Sequence, residues 1–375
     1  MMIAALALVV SLFVLSAVAF RVVIHESISF SEQCQALSVL ALCLALYSAN
    51  NDNDEWFQLA SALVLFAMFQ WTRRVQIQGP PCGNANTLNL QGKFVLVTGG
   101  NSGIGLETAK FAYQCGATVI VASRNVELTN QVFAKELAQN DGVRIVVMGL
   151  DLESFAGVRE FATQFTNKFP VLDVLVHNAG SMTPHHRLTK SDGIESMMQT
   201  NCLSPFLLTL LLMKSLRNST LLKPRVICVT SSTSKLAKQI PLDDLNATQY
   251  FSIFYTYGTT KFSMNELFLE LERQTNGQVS INLVHPGAVV TEIVRNLPKF
   301  MIRFRFLVRP WFKNSYEGSS SQSFLATNSA VEHVSGEYFE HSQVHAIHHA
   351  DAQSRQAFFA KAEQLVGVQF NEIWK

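Results

Sequence analysis

Two hydrophobic regimes divide this chain. From residue 93 on, short and wholly apolar runs alternate with longer segments whose apolar residues recur at helical spacing. KFVLVT is followed by the helix-period stretch ETAKFAYQCG, then by ATVIVAS, and later come IVVMGLDL, LDVLVHNAG and RVICVTSS. Such runs, bounded by glycine or polar residues, read as strands buried on both faces, and the segments between them as helices. The alternation predicts a doubly wound α/β domain, a parallel sheet with helices on both faces, whose ligands gather beyond the carboxyl ends of the strands. The polar residues of the pattern fall at those ends: Gly99 to Gly105 after the first strand, Asn178 after LDVLVH, and Ser232 after RVICVT.

Before residue 76 the pattern is different. Residues 3–20, IAALALVVSLFVLSAVAF, are interrupted only by serines and followed by Arg21; at 1.5 Å per residue this run is long enough to cross a bilayer. Two further apolar stretches, 36–47 and 57–71, flank the polar turn SANNDNDE and predict a helical hairpin. Residues 1–75 are therefore expected to form a membrane anchor of one to three hydrophobic helices. Arg21, Arg73 and Arg74 close the first and third stretches while the turn between the second and third carries no Lys or Arg, so everything after Arg74 is expected in the cytosol. Two alternatives stand beside this reading. Ala17-Val18-Ala19 resembles the cleavage site of a secretory signal, although no basic residue precedes the apolar run; and a single anchor with two interfacial helices fits the same stretches. Residues 76–92, containing GPPCGNANTLNLQG, read as a linker, 93–345 as a nucleotide-binding catalytic domain, and 346–375 as a C-terminal helix and tail.

Composition agrees with a chain partly in lipid: 48% of its 375 residues are hydrophobic and the mean hydropathy is +0.18. The 29 basic and 28 acidic residues balance, with no long single-sign run, which argues against a nucleic-acid partner. Cys34, Cys43, Cys82, Cys115, Cys202 and Cys228 show no C-x-x-C spacing and suit a reducing compartment. Glycans on the sequons at Asn218 or Asn246 would contradict the cytosolic orientation.

Chemistry enters with the glycine turn of TGGNSGIG. Gly99, Gly103 and Gly105 let the backbone approach a pyrophosphate, and the free amides at the following helix start favour its charge. The turn as a whole, with Asn101, Ser102 and Ile104, is the expected cofactor cradle; the bland alternative is a tight turn without a ligand. At the end of the next strand, where an acid would take the 2′-hydroxyl of NAD, stands Ser123-Arg124-Asn125. A guanidinium there suits a 2′-phosphate, so NADP(H) is favoured over NAD(H), with a strand-capping surface arginine as the alternative. Asp151, after the third strand, lies where a carboxylate could accept from the adenine amine.

FYTYGTTKFS, residues 254–263, offers two tyrosines and one lysine. On a helix Tyr257 lies over Lys261, while Tyr255 points elsewhere. A phenol ordinarily titrates near pH 10, and Lys261 is expected to be the neighbouring cation that brings Tyr257 into proton-transfer range.

TGGNSGIG, NAG, the serine strand, Tyr257-x-x-x-Lys261 and HPG occur here in the order found in short-chain dehydrogenase/reductases, and residues 90–340 resemble that family. DGIESMMQTNCLSPFLLTLLLMKSL, HPGAVVTEI and the interval from Ser232 to Tyr257 are similar to its membrane-anchored retinol dehydrogenase-like branch. The resemblance implies a Rossmann-like fold with Tyr257 as proton donor or acceptor, and Lys261 lowering its pKa and binding the nicotinamide ribose. It implies Ser232, rather than Ser231, on the substrate oxygen, and Asn201 positioning a relay water. Asn178 would support the cofactor, and Pro286, Gly287 and Thr291 would flank its nicotinamide end. His177 departs from the family, where asparagine is common, so no cofactor contact is carried over to that side chain.

The implied activity is a membrane-bound oxidoreductase, at the endoplasmic reticulum with its catalytic domain in the cytosol. It would move hydride between NADP(H) and a hydrophobic alcohol, ketone or aldehyde, and a homodimer is left open. The alternative is a catalytically silent membrane adaptor or lipid-binding scaffold, against which the intact Asn201, Ser232, Tyr257 and Lys261 set argues. The segment VRNLPKFMIRFRFLVRPWFKNSYEG, rich in aromatic and basic residues, reads either as an apolar substrate cover touching lipid or as a helix pair on the core, and points to retinoid-, steroid- or fatty-type substrates. His185 and His186 belong to a polar loop near the substrate mouth. His341, His345, His348 and His349 have helical metal spacing but no convincing further ligand, so a solvated tail and no metal are expected.

Overall fold

The computed structural model of the chain describes residues 88–138, 144–289 and 312–374. The chain divides into two units, Met1–Gln78 with Lys299–Phe312 and Gly79–Pro298 with Lys313–Lys375, and the second is the one described below. The expected anchor over 1–75, its orientation, the Ala17-Val18-Ala19 motif, most of the linker, Thr291 and most of the aromatic and basic segment lie outside the described residues.

β1 (Phe94–Thr98) leads through α1 (Gly103–Gln114) to β2 (Thr118–Ser123), which pairs with it in parallel from Phe94 opposite Thr118 to Thr98 opposite Ala122. α2 (Val126–Val132) and a short helical turn precede β3 (Ile145–Gly149); α3 (Phe155–Lys168) precedes β4 (Val174–His177). α4 (Ser196–Arg217), β5 (Arg225–Val229), α5 (Ile253–Gln274) and β6 (Ser280–His285) follow. α6 (Ser315–Thr327) and β7 (Tyr338–Glu340) come next, and β8 (Gln343–Val344) returns antiparallel along β7. The sheet order is β3-β2-β1-β4-β5-β6-β7-β8. The chain thus works outward from β1 to β3, crosses back to β4 and works outward the other way, which opens a crevice at the carboxyl ends of β1 and β4. The doubly wound parallel sheet read from the sequence is the one observed.

Alternation along each strand divides the core between the two faces. Leu96, Leu175, Val226, Cys228 and Leu283 pack with Phe161, Phe165, Phe206 and Phe268 on one side, and Val95, Val97, Val176, Ile227 and Val284 pack with Ala109, Leu325 and Ala326 on the other. α4 is apolar nearly all round because it is interior: among the described residues it alone is long and apolar enough to cross a membrane, yet 94% of that window is buried inside the domain. Pro205 has no N–H to give the carbonyl of Asn201 four residues earlier, and the helix widens into a π turn at Gln199–Leu203.

In the C-terminal histidine run, read as a solvated tail, His345, His348 and His349 are exposed, but the segment is held against the domain. Glu266 on α5 is fully buried and takes His349 Nδ1 at 3.1 Å and Arg355 Nε at 2.9 Å, while His348 stacks on Phe262. A buried carboxylate needs such partners, and they draw the segment onto the domain. α7 (Ala352–Val366) then begins at the Asp351 cap, ends at left-handed Gly367 and, with α8 (Phe370–Ile373), packs Phe358, Phe359 and Phe370 into the core beside Phe206. Among the described residues no His, Cys, Asp or Glu group could hold a metal.

Candidate active site

The glycine turn stands at the end of β1, facing the switch between β1 and β4. Gly99 and Gly103 hold φ of 64° and 55°, the left-handed region that a side chain disfavours. Gly105 is needed for a different reason: a Cβ there would lie 2.5 Å from the Gly99 carbonyl oxygen and closer still to the Asn178 amide nitrogen. Asn178 ties the end of β4 to this turn, donating to the carbonyls of Thr98 at 2.9 Å and Gly99 at 3.3 Å. Ser102 caps α1 in extended conformation but its hydroxyl makes no cap bond, so the first-turn amides beside Asn101 and Ile104 stay available to an anion. The cradle fits a dinucleotide pyrophosphate. Gln322 of α6 braces it from behind through the Ile104 carbonyl and Thr108, a residue with no motif to reveal it in the sequence.

Arg124 directly follows β2, and its guanidinium meets Glu153 Oε1 at 3.1 Å. Glu153 Oε2 takes Arg187 at 2.8 Å, and Asp151 Oδ1 accepts the Glu153 amide at 3.0 Å. Glu153 and Arg187 were not singled out from the sequence; the two sit on separate elements, and only the fold brings them together.

Tyr257 and Lys261 lie on the buried face of α5, whereas Tyr255 is 44% exposed against Tyr250. Gly258 makes this close approach feasible, since α5 passes directly over the Thr233 carbonyl where any Cβ would stand. The Ser231 side chain is the polar group that acts on the Tyr257 phenol, pulling its pKa down against burial. Ser231 Oγ also caps the short 3₁₀ turn Ser232–Leu236, accepting from the Thr233 amide at 3.2 Å and hydroxyl at 2.9 Å. Ser232 opens that turn and is exposed, whereas Ser231 is half-buried.

Lys261 Nζ donates to the Val229 carbonyl at 2.8 Å and lies 5.9 Å from the Tyr257 ring centre. Burial pushes this amine down to about 8. Burial also pushes the phenol up, to about 12, with the Ser231 bond pulling the other way. Burial and Ser231 are the influences on the phenol, and the Lys261 ammonium is directed at the Val229 carbonyl. Asn201 grips the loop after β4, accepting from the Ser181 amide at 2.7 Å and donating to the Ser181 carbonyl at 2.9 Å and Thr260 at 3.2 Å. Asn201 and Lys261 converge at Gly180, where a Cβ would stand 3.4 Å from both side-chain heads.

His177 is turned into the core. Its Nε2 meets Thr209 at 2.7 Å and its ring lies against Phe268, and burial holds it neutral with a pKa of about 3. Beyond β6, Gly287 takes φ of 89° and the stem of Lys313 fills the place of its missing side chain, Cε 3.0 Å and Cδ 3.1 Å from where a Cβ would be. Lys313 Nζ meets His341 Nδ1 at 3.2 Å, which fixes the Pro286-Gly287 loop beside β7. His186 bonds the Asn246 carbonyl at 2.7 Å and lies edge-on to Phe251, closing the loop ahead of α5; His185 is exposed.

Comparison with known proteins agrees with this geometry. A family model described as short chain dehydrogenase matches residues 93–301. Mouse retinol dehydrogenase 12 is 35% identical over 263 residues, 68% of this chain and 81% of its own length. Human retinol dehydrogenase 14 is 35% identical over 268 residues, 67% and 78% of the two chains, and a chloroplastic short-chain dehydrogenase TIC 32 A of Brassica napus is 32% identical over 252 residues, 65% and 78%. Among solved structures, a Mycobacterium paratuberculosis protein of uncharacterised role superposes with TM-score 0.61 at 26% identity, covering 78% of this chain and 99% of its own. The Pseudomonas aeruginosa RhlG/NADP active-site complex superposes with TM-score 0.55 at 25% identity, covering 68% and 97%. With the nucleotide cradle and the buried Tyr257-Lys261 pair on one crevice, the chain belongs to the short-chain dehydrogenase/reductase family, in its retinol dehydrogenase-like branch.

Proposed function

We propose that the chain is an NADP(H)-dependent oxidoreductase of hydrophobic alcohols, aldehydes and ketones, held at the endoplasmic reticulum membrane by its apolar N-terminal stretches with the nucleotide-binding unit in the cytosol. A bound nicotinamide supplies or accepts the hydride at the carbinol carbon. Charge then develops on the substrate oxygen, and two hydroxyls of this chain are poised to stabilise it. Ser231 holds the oxygen, and Tyr257 gives it a proton in reduction or takes one in oxidation. Lys261 is the cation of the site; below about pH 8 it is charged and favours the phenolate that a proton donation leaves behind. Asn201 keeps the Gly180-Ser181 loop and Thr260 in register with that lysine. Gly99, Asn101, Ser102, Gly103, Ile104 and Gly105 would hold the pyrophosphate, Arg124 the 2′-phosphate, Asp151 the adenine, and Asn178, Pro286, Gly287 and Thr291 the nicotinamide side.

The observation that carries this reading is the buried Tyr257-Lys261 pair on α5, with Lys261 Nζ on the Val229 carbonyl at the carboxyl end of β5 and the Ser231 side chain acting on the phenol. Similarity to retinol dehydrogenases, with the apolar run of residues 3–20, supports a lipid-like substrate. The test is NADPH consumption by the full chain in microsomes, supplied with retinoid, steroid and fatty carbonyl compounds, with NADH in parallel. At least one compound is expected to accelerate NADPH oxidation. No acceleration with either cofactor, in protein that still binds NADPH, would favour a silent scaffold instead.

A further inference from the structure

At the carboxyl ends of β2 and β3 lies an ion-paired trio that the proposed reaction does not use. The two oxygens of the Glu153 carboxylate go to different arginines, Oε2 to Arg187 at 2.8 Å and Oε1 to Arg124 at 3.1 Å. Glu153 is rooted on both sides of its backbone, its amide on Asp151 Oδ1 at 3.0 Å and its carbonyl on the Ser191 hydroxyl at 3.1 Å. Arg187 is rooted too: its carbonyl accepts the Ser196 amide at 2.9 Å and the next residue, Leu188, bridges to Glu195. Arg124 is the loosely held member, with 68% of its side chain exposed. The carboxylate therefore sits where it can be shared, but its firmer partner is Arg187.

A guanidinium that is bonded to a carboxylate has less to offer an incoming phosphate, and a second guanidinium on the same carboxylate draws off part of that competition. Resting on the reading of Arg124 as the 2′-phosphate ligand, we propose that Glu153 competes with the cofactor's 2′-phosphate for Arg124. Arg187, by holding Glu153, would limit the competition, and the three side chains together would set how strongly NADP(H) is preferred over NAD(H). A cofactor that ends in a 2′-hydroxyl brings no such charge to the trio. The effects are therefore confined to the phosphorylated cofactor and weaken as salt screens them.

The test titrates the detergent-solubilised full chain with NADPH and with NADH, following the fluorescence of the reduced cofactor. Glu153→Gln is expected to tighten NADPH by roughly two- to five-fold, the size of an exposed ion pair, and to leave NADH unchanged; added salt should shrink the gain. Arg187→Gln is expected to weaken NADPH by a similar factor, and to have no effect once Glu153→Gln is present. A weaker or unchanged NADPH affinity in Glu153→Gln overturns the proposal, and so does an Arg187→Gln loss that persists in the double variant, which would make Arg187 a direct phosphate ligand. Arg124→Met separates this from the reading beneath it: it should cost NADPH affinity selectively. If the NADPH-to-NADH ratio stays put in that variant, the assignment of Arg124 has failed and the proposal with it.

Discussion

Gly105→Ala probes the nucleotide cradle at the position where the structure leaves least room. Gly105 lies in the first turn of α1 with an ordinary negative φ, so in an open helix the alanine would gain about 1 kcal/mol. Here its Cβ would lie 2.5 Å from the Gly99 carbonyl oxygen and 2.9 Å from Asn178 Cγ, with the amide nitrogen nearer still. Something must move, and the side chain with freedom to do so is Asn178. Overpacking costs about 1–3 kcal/mol, and losing the two Asn178 bonds to Thr98 and Gly99 costs about 1 kcal/mol each. Net of the helix gain, the expected cost is about 2–4 kcal/mol, divided between fold stability and cofactor affinity. Denaturant unfolding of the full chain and NADPH titration together read both parts. Gly149→Ala is the matched control, because its nearest neighbour, Val126 Cγ2, is at 3.5 Å, an ordinary contact. It should stay within about 0.5 kcal/mol of wild type. A Gly105→Ala protein that unfolds and binds NADPH as wild type does, or a Gly149→Ala protein that loses as much, would refute the reasoning.

Ser231→Ala is expected to lower turnover by about 10²-fold or more, as loss of one donor to a developing oxyanion does, while Ser232→Ala stays near wild type; the reverse ranking restores Ser232. His177 titrates near 3 in the folded protein against an ordinary 6.5, so as pH falls below 6.5 the unfolded chain takes up the proton first and stability drops by about 1.4 kcal/mol per pH unit, until about pH 3. His285, held at about 4 by burial, adds to that loss in the upper part of the same window. His177→Gln should make acid unfolding less steep, and an unchanged slope would count against the burial argument. Lys261 acts with the same sign at the alkaline end. Its folded value of about 8, against 10.5, means the unfolded state holds more protons between those limits, so stability should rise with pH across that window and Lys261→Met should remove the rise.

Much of the fold was legible in the sequence because its signals are local. Apolar runs such as FVLVT and TVIVAS mark buried strands by themselves, and the glycine turn sits between a strand and a helix that both announce it. Tyr257 and Lys261 could be paired from helical spacing alone, and the burial of α4 explains why so apolar a segment belongs to the core. Which of Ser231 and Ser232 meets the substrate is not legible from an interval, because residues 237–252 between β5 and α5 are irregular and a one-residue slip there leaves no trace. The docking of the C-terminal segment depends on Glu266, whose burial nothing in its neighbours' composition reveals. Adjacency to a lysine can be read from spacing, whereas the desolvation that raises the phenol comes from everything packed around it. The Arg124-Glu153-Arg187 trio joins three separate elements, and only the assembled sheet edge brings them together.

The central claim, that the Tyr257 hydroxyl transfers the proton in the crevice that binds the dinucleotide, is tested most directly by measuring turnover and NADPH affinity side by side in Tyr257→Phe. Turnover with a hydrophobic carbonyl substrate should fall by about 10³-fold or more while the NADPH dissociation constant stays within about two-fold. Turnover at the wild-type rate would contradict it outright, and a loss of activity matched by an equal loss of NADPH binding would reduce the tyrosine to a structural part of the cofactor site.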